Sequence, residues 1–73
     1  MAKRSLIVAG HRTSISLEEP FWEALAEMAA ARKSSVAAVV ASIDRTRTEG
    51  TNLSAAVRVA VLTWYRRRIT PPA

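Results

Sequence analysis

The chain has 73 residues, 49% hydrophobic and 23% charged, with one histidine, no cysteine and a formal net charge of +5. That length leaves room for one small domain, residues 1–73, and excludes a multidomain enzyme, while the lack of cysteine removes disulfides and thiolate metal sites and fits a reducing cytoplasm. The charge is segregated: residues 1–17 carry +3 and residues 50–73 carry +4 with no acid in either, whereas all six acids fall among residues 18–49, a distribution that points to a polyanion partner, nucleic acid before an anionic membrane surface.

The apolar runs, such as Leu6 to Ala9 and Ala55 to Val57, are far below the roughly 18 residues of a membrane span. The first ten residues also lack the apolar length of a signal peptide. A soluble, cytoplasmic protein without a membrane partner is expected.

In chain order, the first regular element is a strand over about 11–17, where Thr13, Ile15 and Leu17 alternate with Arg12, Ser14 and Ser16. Gly10 interrupts the preceding β-branched stretch, so residues 5–9 form a separate strand, continue the first through a bulge, or make an ordered arm. Glu18-Glu19-Pro20 then opens a helix over about 20–31, with proline where its missing N–H costs nothing and carboxylates at the positive end of the dipole. Its apolar stripe is Phe21, Trp22, Leu25, Met28 and Ala29. Ser34 or Ser35 caps a second helix, about 36–46, with stripe Val36, Val39, Val40 and Ile43. Gly50 suits a turn, and Thr51 or Asn52 caps a third helix, about 53–68, apolar on nearly every side until its arginines. Pro71-Pro72 closes the chain as a frayed tail.

One convincing strand leaves unpaired backbone groups along both edges. A local hairpin through Ala9-Gly10-His11 is one way to pair it. Antiparallel pairing of residues 11–17 with the same segment of a second chain also satisfies the backbone and gives a two-fold interface across which the second and third helices pack. The expected fold is therefore mainly α with one N-terminal strand, an intertwined homodimer around an intermolecular ribbon. Thr13, Ile15 and Leu17 face its core, Val61 and Trp64 are buried across it, and Arg12, Ser14 and Ser16 stay on the outer face. A two-stranded ribbon fits the major groove, whose base edges such side chains can read.

The order strand, turn, helix, Ser-containing turn, helix, carried by HRTSISLEEPFWEALAEMAAARKSSVAAVVASID from His11 to Asp44, resembles the ribbon-helix-helix (Arc/MetJ-like) superfamily of DNA-binding repressors. With GTNLSAAVRVAVLTWYRRR the chain is similar to a branch of short bacterial proteins in which a third helix follows that core. The resemblance implies a homodimeric transcriptional regulator on double-stranded DNA, with Arg12, Ser14 and Ser16 reading bases. It also implies a phosphate clamp at Lys33, Ser34 and Ser35, where backbone N–H groups open the second helix.

Lys3 and Arg4 are a solubilising start or a phosphate-contacting arm. Arg66, Arg67 and Arg68 complement the negative end of the third helix's dipole. Glu19, Glu23 and Glu27 form a solvated helix face rather than a metal-binding row, and no metal or cofactor is expected. Catalysis would need His11 beside a serine and an orienting carboxylate in a concave pocket, for which a ribbon and three short helices leave little room, so no enzyme is expected. The rival reading is a protein-interaction module, such as an antitoxin, whose third helix and basic tail grip a partner protein.

Overall fold

The structure is a computed structural model that describes residues 1–69; Pro71 and Pro72 lie outside the described residues. Two strands, β1 (Ala2–Val8) and β2 (His11–Leu17), are followed by α1 (Glu19–Ala31), α2 (Val36–Thr46) and α3 (Leu53–Ile69). The strands pair antiparallel, with Ala2 opposite Leu17 and Val8 opposite His11. Ala9 and Gly10 form the two-residue loop, both at positive φ, 52° and 83°. Two successive left-handed residues are what a type I′ turn requires, and that turn matches the right-handed twist of the flanking strands.

Of the two expected ways to pair residues 11–17, the structure of one chain shows the local hairpin. β1 lies along one edge of β2 through the hairpin, and the other edge of β2 has no partner strand among the described residues. The physical reason is local: a two-residue turn brings β1 to β2 with almost no loop-closure cost.

Alternation along β2 puts Ile15 and Leu17 into the core, at 1% and 0% exposure. There they join Val8 from β1, Trp22, Leu25, Met28 and Ala29 from α1, Val39 and Val40 from α2, and Val57 and Val61 from α3. No polar residue is buried among the described residues, so apolar burial is the main force that holds the core. Ile15, Leu17 and Val61 are thus covered within one chain, while Thr13 and Trp64 remain half-buried. The Trp22 indole donates from Nε1 to the carbonyl of Ala2 at 2.9 Å, which ties the start of β1 to α1 and satisfies the one polar atom that Trp22 carries inward.

Each helix begins and ends where its sequence dictates. α1 has Glu18 at its N-cap and Pro20 in its first turn. It stops in a Schellman motif: Lys33 turns left-handed at φ 52°, with Ser34 N–H donating to Ala29 and Lys33 N–H to Ala30. Ser35 caps α2 by accepting from the Ala38 amide at 3.1 Å, and Asn52 caps α3 by accepting from Ala55 at 2.8 Å. Within one chain α3 is covered on one side only. One chain buries only Val57 and Val61 of it, leaving Val59 at 63%, Leu62 at 57% and Ile69 at 76% exposure.

Candidate nucleic-acid interface

The pleat of the hairpin sorts its side chains into two faces. Ala2, Leu6 and Val8, with Thr13, Ile15 and Leu17, turn toward the helices. Lys3, Ser5 and Ile7 of β1 stand opposite Ser16, Ser14 and Arg12 of β2 on the other face. That outward face carries two cations, three hydroxyls and one branched hydrocarbon, with no carboxylate. Ser5 and Ser14 lie 3.4 Å apart at their Oγ atoms. Neither Lys3 nor Arg12 takes part in an ion pair among the described residues. The face is therefore a strip of donors with free charge at each end, suited to an electronegative groove.

Arg12 and Ser14 are exposed and Ser16 is half-buried, all three on this outward face as their alternation requires. Lys3 joins them through its pairing with Ser16 rather than extending from an arm. Arg4 faces the other way. It stands opposite Ile15, its guanidinium carbon lies 4.9 Å from the centre of the Trp22 ring, and it reaches Glu19 at 3.5 Å. Its charge braces β1 against α1 and is directed away from the ribbon strip.

The first acid after the ribbon, Glu18, is neutralised by a residue distant in sequence. Arg58 on α3 donates from Nε to Glu18 Oε1 at 3.0 Å, with its guanidinium carbon 5.9 Å from the centre of the Phe21 ring. A hydrogen bond from its own backbone amide and then the Arg58 guanidinium hold the Glu18 carboxyl below its ordinary value. The end of the strip thus carries an ion pair in place of a lone negative charge.

A second group of donors lies at the α1–α2 turn. Ser35 satisfies the Ala38 amide, and no hydrogen bond among the described residues uses the amide of Val36 or Ala37. Those N–H groups, at the positive end of the α2 dipole, are flanked by exposed Lys33 and Ser34. At the far end of α3, Arg66, Arg67 and Arg68 are exposed. Arg68 stacks 4.6 Å from the centre of the Trp64 ring, which itself meets Tyr65 edge-on at 4.8 Å. His11 is exposed at the mouth of the hairpin.

A family model described as a ribbon-helix-helix domain matches residues 1–65. The chain belongs to the ribbon-helix-helix family. The match takes in β1 and α3 as far as Tyr65, so the hairpin and the third helix are parts of this ribbon-helix-helix domain and not appendages to it. Its membership carries a DNA-binding or regulatory role in broad terms. No curated protein and no solved structure matches the chain.

Three members of this arrangement escaped the reading of the sequence. Ser5 and Ile7 join the outward strip only because β1 pairs with β2 in this register, and Arg58 reaches Glu18 across 40 residues of chain. The lack of any acid before Glu18 was the one signal in the sequence that residues 1–9 share the electrostatics of the strand that follows.

Proposed function

We propose that this ribbon-helix-helix protein is a transcriptional regulator that acts as a homodimer and lays its β1–β2 ribbon in the major groove of double-stranded DNA. The observation that carries the reading is the outward ribbon face, with Lys3, Arg12, Ser5, Ser14 and Ser16 and no carboxylate. A two-stranded ribbon has the width of the groove. Arg12 is long enough for a bidentate contact to guanine O6 and N7, and the serines supply short single hydrogen bonds. The free amides of Val36 and Ala37 with Lys33, Ser34 and Ser35 grip phosphate, which sets position and not sequence. Arg4, held by Trp22 and Glu19, braces the ribbon.

The homodimer reading draws support from α3. Val59, Leu62 and Ile69 leave an apolar stripe in water, beside a groove lined by Pro20, Phe21, Ala24, Leu62 and Tyr65. Because each chain carries its own two-stranded hairpin, a second copy covering this stripe would present two of them to one duplex. The same stripe supports the second reading, a protein-interaction module of antitoxin type in which another protein covers α3.

The test is a salt-graded mobility shift with random and selected duplexes. Lys33→Ala keeps the Cβ and therefore the left-handed backbone cost, so it isolates the ammonium. It should weaken both DNAs alike and lower the salt slope by about 1. Arg12→Ala should cost about 1–3 kcal/mol on the selected site and much less on random DNA. A wild-type protein that shifts neither duplex at low salt refutes the DNA-binding reading and leaves the protein-interaction module.

A further inference from the structure

Ile7 is 59% exposed at the turn end of a polar, cationic strip. The hairpin register fixes it there: Leu6 and Val8 turn toward the helices on either side of it, and Ile7 stands directly opposite Arg12. Among the described residues the other large exposed apolar side chains apart from Met1 are on α3, so Ile7 is a single hydrocarbon among donors and not part of a contiguous apolar patch of the kind that marks a protein interface. A branched hydrocarbon has no hydrogen bond to offer a base edge. The apolar feature on the floor of the major groove is the C5 methyl of thymine.

We propose that Ile7 is a specificity-determining residue that packs on a thymine methyl beside the guanine contacted by Arg12. The inference rests on the DNA-binding reading and deepens it by naming the second base. Side chains directly opposite each other on a ribbon are about 5 Å apart at Cβ, and successive base pairs rise by about 3.4 Å. The thymine therefore lies within one or two steps of the guanine. Arg12 reads its base through donors and Ile7 reads its base through shape and water exclusion, so together they distinguish a base step that neither specifies alone.

The experiment uses the full chain and two pools of random 30-mer duplex, one amplified with thymidine triphosphate and the other with deoxyuridine triphosphate. Uracil pairs as thymine does and lacks only the methyl. After selection on the thymine pool, the winning duplex is remade with uracil, and the ratio of the two dissociation constants is measured on one preparation of each protein, so that the folded fraction cancels. Wild type should weaken about fourfold for each methyl lost, with selected sequences placing thymine within two steps of guanine. Ile7→Ser should bind the two forms equally, and Ile7→Val should keep most of the discrimination. Equal thymine and uracil binding by wild type, or the same loss in wild type and Ile7→Ser, overturns the role of Ile7 while leaving DNA binding intact. Failure of wild type to bind either pool overturns the DNA-binding reading and this inference with it.

Discussion

The hairpin turn decides whether the ribbon belongs to one chain, and Ala9 tests it. Ala9 is at φ 52°, a conformation that costs an L-residue roughly 1–2 kcal/mol, and less for asparagine, whose short polar side chain tolerates it. Ala9→Asn creates the Asn-Gly pair that most favours a type I′ turn, and it should stabilise the protein by about 1 kcal/mol. Ala9→Gly removes the same steric cost but gives part of it back through the greater freedom of glycine in the unfolded chain, so it should gain about half as much. Ala9→Val adds a β-branch to a left-handed residue and should destabilise by about 1–2 kcal/mol. With an unfolding entropy of about 2.1 cal/mol/K per residue, 1 kcal/mol corresponds to a Tm change of about 6 °C for a chain of this length. Urea midpoints and calorimetry of the three variants measure the order Asn > Gly > wild type > Val. If all four proteins unfold at the same midpoint, Ala9 is not left-handed, β1 does not fold back on β2 through this turn, and β2 must find its partner strand elsewhere.

The remaining predictions concern the second copy and the ion pair at the ribbon's end. Leu62→Glu places a charge on the exposed stripe of α3 and leaves the buried Val57 and Val61 untouched, so it should convert a dimer to a folded monomer in sedimentation equilibrium. A wild-type protein that sediments as a monomer at micromolar concentration refutes self-association through this face. Because the Glu18 carboxyl is held below its ordinary value, its contribution to stability is fully present above the unfolded-state value of about 4 and is lost as pH falls through the folded value. Glu18→Gln and Arg58→Gln should each flatten the acid limb of the stability curve measured by urea unfolding between neutral pH and about pH 3. An unchanged acid limb in both variants shows that the pair does not act in solution.

The three helices and β2 were legible because their signals are local. Residues three and four apart share a helix face, so the stripes of Trp22, Leu25 and Met28 and of Val36, Val39 and Val40 mark what is buried. Pro20, Ser35 and Asn52 mark where the helices start, and strict alternation marks β2 and assigns Arg12, Ser14 and Ser16 to one face. β1 carries weaker signals. Arg4 falls on the inward side and Ile7 on the outward side, so its alternation reads as broken, and Ala9-Gly10 lacks the asparagine or aspartate that announces a hairpin.

Tertiary structure alone decided what lies beside what. A period of two shows that a strand has two edges to satisfy but not which strand satisfies them, since that depends on a closure the pattern does not encode. The inward placement of Arg4 is resolved by the Trp22 ring and Glu19, both on α1, and Glu18 finds Arg58 only because α3 packs back against β2 and α1. Likewise, the composition of α3 signals that it needs covering, whereas the packing of α1 and α2 determines that Val57 and Val61 are covered and Val59 and Leu62 are not. The sequence by itself determined β2 and the three helices, their inward faces and the separation of charge along the chain. The pairing that builds the ribbon, and with it the placing of Lys3, Ser5 and Ile7 beside Arg12, came from contacts between distant residues, which carry no local period from which they could be read.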